Sequence, residues 1–293
     1  MNQRAQGEPP QEPSGELAAF GWMEVTVWTL GALLLMVFSI GLIQSTHPES
    51  DLDMVTLSGT SGAVFLTLAA FLLGRHSNES SVGGALGLRA IPLWALFACL
   101  LLGVLSQFPA LVVADLTEKF FPIPEAEATA RSAMLRPSGW VEAALLSVFL
   151  TLLVPFAEEA FFRGALFGAL RRSARSAPSA ALATGSAFLL SHLDPHFWPA
   201  LALIAATLSF LRAASGSLLA SLAFHIGFNA YTVATATLNL GGSHGEFEFG
   251  WRLQLGLSFA AVALGTGLAI FFMKNGASKS YRQLEQGRDA RVA

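Results

Sequence analysis

Two adjacent glutamates and an arginine lie inside a long apolar stretch of the chain. The stretch reads ALLSVFLTLLVPFAEEAFFRGALFGAL and contains Glu158, Glu159 and Arg163. An uncompensated charge at the centre of a membrane helix costs about 2.5–3.5 kcal/mol on insertion scales. Three such charges would cost roughly 8–10 kcal/mol, which is comparable to the stability of a whole domain. We therefore expect all three side chains to face a cavity lined by protein or filled with water.

The spacing of these charges predicts how they are used. Glu159 and Arg163 are four residues apart, so they share a helix face and can form an ion pair. Glu158 lies about 100° around an ideal helix from Glu159, and we expect it to face a different neighbour. A purely structural ion pair between two helices is the simplest alternative. It accounts for Glu159 and Arg163 but leaves the second carboxylate without a role.

Two further apolar segments carry imidazole and amide groups. The segment SAFLLSHLDPHFW contains His192, with Phe188 one helical turn before it. The segment SLLASLAFHIGFNAYTV carries His225 and Asn229 on one helix face. A lone histidine in a helix bundle is more often a satisfied core residue than a catalyst, but polar groups on three separate apolar segments favour a functional site. At about 1.5 Å of rise per residue, their depths allow them to meet in one cavity.

This set of side chains suits peptide hydrolysis. Carboxylate and imidazole groups can activate water against a carbonyl carbon, and an amide beside an imidazole can donate hydrogen bonds to the oxyanion that forms. The same residue types can bind zinc, for which Glu158, His192 and His225 would be the ligands. The chain has no HExxH motif, so a glutamate-activated water and a zinc-bound water both stay open. The predicted catalytic residues are Glu158, Glu159, His192, His225 and Asn229.

The composition indicates an integral membrane protein. Of the 293 residues, 53% are hydrophobic and only 13% are charged, whereas soluble domains carry about 25% charged residues. The net charge of −3 gives no indication of a nucleic-acid partner. The single cysteine, Cys99, excludes an intrachain disulfide. The lipid bilayer is therefore the expected surrounding of the chain.

The apolar segments predict an all-α fold, a polytopic bundle of about eight transmembrane helices. The fifth and sixth segments are short, so they can be tilted, partial or re-entrant. We place the helices at about 22–43, 57–74, 91–114, 141–170, 179–193, 199–212, 216–238 and 251–273.

The same pattern divides the chain into five parts. The first is rich in Pro, Gly and Glu, which is typical of a disordered tail, and the second ends in an outer loop that can hold a short amphipathic helix. The parts are a disordered N-terminal tail (1–20), N-terminal transmembrane helices with the outer loop (21–139), a catalytic core (140–238), the last transmembrane helix with its preceding loop (239–273) and a cytoplasmic tail (274–293).

Basic residues predict the orientation of the chain. Segments 75–90 and 171–178 and the C-terminal tail carry most of the 17 Lys and Arg residues, whereas segments 44–56 and 239–250 carry none. Cytoplasmic loops are enriched in Lys and Arg, so both termini are predicted to be cytoplasmic in a multi-pass protein of the cell inner membrane. The six tryptophans fall mostly near predicted helix ends and are expected to be interfacial anchors.

The motifs resemble those of the CPBP (Abi) intramembrane proteases, which include the type II CAAX prenyl endopeptidases. The family motifs EExxxR, FxxxH and HxxxN match residues 158–163, 188–192 and 225–229 in order and spacing. The resemblance covers about residues 140–235. It implies a helical core of CPBP type around a site that is open to water, with either a glutamate-bound water or zinc.

The resemblance also implies roles and a substrate class. Glu158 would activate water with His192, while His225 and Asn229 would stabilise the oxyanion. Glu159 would assist them, with Arg163 and Phe188 as supporting residues. The substrate would be a membrane-anchored protein or a lipidated peptide, cleaved near its C-terminus or its membrane anchor.

Two other functions are consistent with parts of the sequence. The tetrapeptide from Gly59 to Gly62 reads GxSG, as in rhomboid serine proteases, with Ser61 as nucleophile and His225 as its base. Small residues are also common where membrane helices pack closely, and the histidine lacks the AHxxG context of that family. A non-catalytic transporter, immunity protein or scaffold is the other alternative, because buried carboxylates and histidines form proton relays.

Overall fold

The computed structural model describes residues 20–46, 54–77, 79, 81–134, 137, 139–237 and 250–275. Within these ranges every regular element is helical, which confirms the predicted all-α fold. The predicted N-terminal tail up to residue 19, the loop 238–249 and the C-terminal tail from residue 276 lie outside the described residues.

The described ranges form ten helices in chain order. One of them, α6, is a continuous helix of 33 residues that contains both glutamates of the first motif. The helices are α1 (Trp22–Thr46), α2 (Met54–His76), α3 (Val82–Leu86), α4 (Leu93–Phe120), α5 (Glu125–Met134), α6 (Trp140–Arg172), α7 (Ala177–Ser191), α8 (Trp198–Ser215), α9 (Leu218–Thr237) and α10 (Trp251–Asn275).

Seven of these helices are long and apolar enough to cross a membrane, namely α1, α2, α4, α6, α8, α9 and α10. The helix α7 is apolar but has 15 residues, fewer than the roughly 20 that cross the hydrocarbon. These eight helices correspond to the eight predicted segments, and the expected shortness of the fifth is confirmed. The chain is an integral membrane protein. The short helix α5 lies in the predicted outer loop.

The closest helix crossing joins α4 to α9. A Cβ atom added to Gly103 of α4 would meet the backbone of Phe224 and Phe228, and one added to Gly227 of α9 would meet the backbone of Leu100. Gln107 of α4 then donates from Nε2 to the carbonyl of Phe228 at 2.7 Å. Glycine lets membrane helices approach until their backbones touch. This crossing fixes the rotation of α9, which carries His225 and Asn229.

One end of the bundle is closed by the segment around α3. The backbone N–H of Leu218 donates to the carbonyl of Gly87 at 2.9 Å, and the hydroxyl of Ser217 donates to the carbonyl of Arg89 at 2.5 Å. Gly87 has a φ of 75°, a left-handed conformation that favours glycine. The loop between α3 and α4 is thereby tied to the start of α9.

Candidate active site

The helix α6 changes its winding twice near the first motif. It is a π-helix at Phe149–Leu153 and again at Glu159–Leu166, with one α-helical turn between them. Pro155 is the second residue of that turn and has no N–H to donate to the preceding turn, which favours a local change of hydrogen-bond pattern. Such π segments in an α-helix are frequent at functional sites. Glu158 and Glu159 lie where the second one begins.

The predicted ion pair between Glu159 and Arg163 is present and completely buried. Nη1 of Arg163 lies 3.1 Å from Oε1 of Glu159, and both side chains have 0% exposure. The same oxygen of Glu159 lies 3.3 Å from Nδ1 of His225, and Ser221 of α9 adds a hydroxyl near this carboxylate. Glu159 therefore joins Arg163 on its own helix to the imidazole on α9.

Glu158 contacts the same imidazole from the other side. Its Oε2 lies 3.7 Å from Nε2 of His225, so each ring nitrogen faces one of the two carboxylates. The expectation that Glu158 faces a different neighbour from Glu159 is wrong. The 100° separation of the two side chains is bridged because the ring of His225 presents its two nitrogens in different directions. A separation of 3.7 Å is too long for a direct hydrogen bond.

The hydrogen bonds of His225 indicate its tautomer. A carboxylate only accepts hydrogen bonds, so with Glu159 ionised Nδ1 carries a hydrogen toward it and Nε2 is left as an acceptor in the neutral ring. The ring is 5% exposed. This places a lone pair of Nε2 toward Glu158. The pattern matches the general rule that a partner on one nitrogen decides what the other can do.

The ring of Phe188 lies among the other groups of the site. The guanidinium carbon of Arg163 lies 4.4 Å from its centroid, the ring of His192 lies 4.8 Å away and the ring of His225 lies 5.9 Å away. The second motif thus supplies a packing surface that arginine and both imidazoles share. This contact brings α7 to α6 and α9.

His192 is held by its own helix end and by α8. Nδ1 of His192 lies 2.9 Å from the carbonyl of Phe188, which requires a hydrogen on Nδ1 and leaves Nε2 as an acceptor in the neutral ring. The indole N–H of Trp198 donates to the carbonyl of His192 at 2.6 Å. Among the described contacts there is no direct ion pair between His192 and either glutamate. His192 joins the site through Phe188.

Asn229 has a partner that its motif does not indicate. Its Nδ2 donates to the carbonyl of Leu150 at 2.8 Å, and Leu150 lies in the first π segment of α6. The side chain is one turn beyond His225 on α9. The structure therefore shows Asn229 fastening α9 to the backbone of α6.

The residues predicted to bind zinc are not arranged as a three-ligand group in the part of the chain that the structure describes. A catalytic zinc ion takes three protein ligands, and no group of three His, Cys, Asp or Glu side chains in the described part of the chain is placed to hold a metal ion. Of the predicted ligands, Glu158 and His225 contact each other, whereas the described hydrogen bonds of His192 are with Phe188 and Trp198. We derive no step through a metal.

Several residues that position the site were not predicted from the motifs. Trp198 was expected to be an interfacial anchor, yet its indole N–H binds the backbone of His192. Arg212 of α8 donates from Nε to the carbonyl of Arg163 at 2.9 Å and lies over the ring of Phe167. Gly103 and Gly227 set the α4–α9 crossing. Glycine within a membrane helix was the available signal for the last two.

The comparison with known families supports the resemblance of the motifs. Residues 140–231 match the family model described as type II CAAX prenyl endopeptidase Rce1-like. At family level the match indicates a CAAX-type intramembrane protease. No curated protein and no solved structure matches the chain.

The matched segment, residues 140–231, contains every residue of the three motifs. The helices α1 to α5 lie before it. The glycines of the GxSG tetrapeptide in α2 face this segment, since a Cβ atom on Gly59 would lie 3.4 Å from Phe149 and one on Gly62 would lie 3.3 Å from Leu153. Close helix packing thus accounts for the glycines that suggested a rhomboid-type site.

Proposed function

We propose that the protein is an intramembrane endopeptidase that hydrolyses a peptide bond near the C-terminus or the membrane anchor of a membrane-embedded protein or lipidated peptide. The contact of His225 with both glutamates supports this proposal most strongly. It puts a carboxylate and the lone pair of an oriented imidazole on either side of a gap of 3.7 Å. A water molecule near this gap would have two acceptors for its protons.

The first step is the attack of water on the scissile carbonyl. Glu158 takes a proton from the water, and the resulting hydroxide forms a bond to the carbonyl carbon. Nε2 of His225 accepts the second hydrogen of the water and orients it, while His192 borders the site through Phe188. The products of this step are a protonated Glu158 and a tetrahedral intermediate with a negative oxygen.

The second step is the expulsion of the amine. The leaving nitrogen must gain a proton while its bond to carbon breaks, and Glu158 or His225 can return the proton that water supplied. If His225 holds it, Glu159 stabilises the imidazolium from Nδ1, as a buried carboxylate does in serine proteases. The imidazolium then donates from Nε2 to the negative oxygen or to the amine. Arg163 pairs with the carboxylate of Glu159 on the same helix.

This division of roles differs from the one that the motifs implied for His225. A neutral His225 that donates from Nδ1 to Glu159 has no hydrogen on Nε2 and cannot stabilise an oxyanion there. It can do so only after it has accepted a proton. We therefore assign His225 to proton transfer together with Glu158, and Glu159 to the orientation of His225.

Cleavage of a fluorogenic peptide that is tethered to a lipid anchor tests the proposal. The purified protein in proteoliposomes should cleave the peptide, and Glu158→Gln should lower kcat by about 10²–10⁴-fold, the usual contribution of a general base. Glu142→Gln is the matched control, because Glu142 lies in the first turn of the same helix and away from the site. Activity retained in Glu158→Gln would overturn the proposal.

A further inference from the structure

The first π segment of α6 has a gap in its hydrogen-bond ladder. Its bonds run from each N–H to the carbonyl five residues before, as from Val154 to Phe149. The next bond in this register would join residue 155 to the carbonyl of Leu150. Residue 155 is a proline and has no N–H. Inside a membrane a carbonyl without a donor is strongly unfavourable, since lipid offers no substitute.

Asn229 supplies the donor that the proline lacks. Its Nδ2 lies 2.8 Å from the carbonyl oxygen of Leu150. A carbonyl oxygen only accepts hydrogen bonds, so the nitrogen of the amide must face Leu150 and the direction of the side chain is fixed. We propose that Asn229 is a positioning residue, which replaces the missing N–H of Pro155 and holds the turn that leads into Glu158.

The bond acts on the site through two nearby residues. Glu158 follows Pro155 by three residues on α6, and His225 precedes Asn229 by one turn on α9. The Asn229–Leu150 bond therefore ties the two helices together within about one turn of the gap between Glu158 and His225, which is 3.7 Å wide. Its loss would let this gap vary. This positioning role requires no contact between Asn229 and a substrate.

The proline makes the proposal testable by rescue. Pro155→Ala restores a backbone N–H at position 155, so Leu150 regains a donor that does not depend on Asn229. We expect Asn229→Ala to lower both kcat and the Tm in detergent micelles, with KM little changed. In the double variant Asn229→Ala with Pro155→Ala, both values should return to those of Pro155→Ala alone. Asn275→Ala is the control, because Asn275 also donates to a carbonyl, that of Phe271, at an exposed helix end.

An oxyanion donor would give a different pattern. Its removal would lower kcat by about 10²–10³-fold, leave the Tm unchanged and respond to no change at residue 155, and this result would overturn the proposal. The kinetic part of the experiment rests on the proposed function, whereas the Tm does not. If the wild type cleaves nothing, the proposed function fails and the Tm values alone decide the role of Asn229. If Asn229→Ala does not fold, recovery of folding in the double variant is the deciding result.

Discussion

The two halves of α6 have different surroundings. Every residue from 157 to 170 is buried, whereas the first half exposes large apolar side chains such as Trp140 at 83% and Leu152 at 49%. Glu158 lies at the boundary and is 7% exposed, against 0% for Glu159 and Arg163. The ion pair of Glu159 with Arg163 therefore lies in the buried half of α6, residues 157–170, which we call the closed half. Glu158, the carboxylate assigned to proton transfer, lies next to the more exposed half.

The largest effect is expected from removing the guanidinium of Arg163, which pairs with Glu159 in the closed half. Arg163→Met leaves a carboxylate with 0% exposure without its guanidinium, and breaking a buried ion pair in this way costs about 3–5 kcal/mol. The Tm in detergent should fall strongly, and Glu159→Gln in the same chain should restore part of it. Arg252→Met is the control, since Arg252 is exposed at the start of α10. An unchanged Tm for Arg163→Met would contradict the closed character of this half.

A smaller effect is expected at the close crossing of α9 with α4. Gly103→Ala and Gly227→Ala each put a methyl group against backbone atoms of the other helix, and overpacking of this kind costs about 1–3 kcal/mol. Both variants should lower the Tm and the activity, because α9 carries His225. Gly267→Ala in α10 meets nothing within 4 Å and should leave both unchanged. Equal Tm values for all three would show that the crossing is not tight.

Some of these features could be predicted from the sequence and others could not. The helical segments, the ion pair of Glu159 with Arg163 and the three motif helices follow from charge, spacing and apolar length. The π segments do not, because the helical phase was taken from a uniform α-helix, and Pro155 alone does not tell whether a helix kinks or rewinds. The shared contact of His225 depends on the rotation of α9, which is set by its crossing with α4 at Gly103 and Gly227. The spacing of the motif residues does not specify this crossing.

The smallest effect is expected at His192, whose backbone carbonyl accepts a hydrogen bond from Trp198. Trp198→Phe keeps the aromatic ring but removes the N–H that donates to the carbonyl of His192 at 2.6 Å. A hydrogen bond of this kind contributes about 0.5–1.5 kcal/mol, so kcat should fall by up to about tenfold with little change in KM. Trp140→Phe, at the exposed start of α6, is the matched control. A loss of the same size in both variants would mean that the indole serves only as an anchor.

The cytoplasmic location of both termini stays a prediction. It requires that α7 cross the bilayer, although α7 has only 15 residues. The burial of residues 157–170 makes that half a closed end, and the basic residues Arg171, Arg172 and Arg175 follow it directly. The boundary at Glu158 is about 20 Å from those arginines at 1.5 Å per residue.

A double-mutant cycle on Glu158 and His225 tests most directly whether the two groups work as one unit. The kcat of peptide cleavage would be measured for Glu158→Gln, for His225→Ala and for the variant with both changes. Groups that share one proton-transfer step are strongly non-additive, so the double variant should lose little more than the worse single variant. Two losses that multiply in the double variant would contradict the joint role of the carboxylate and the imidazole.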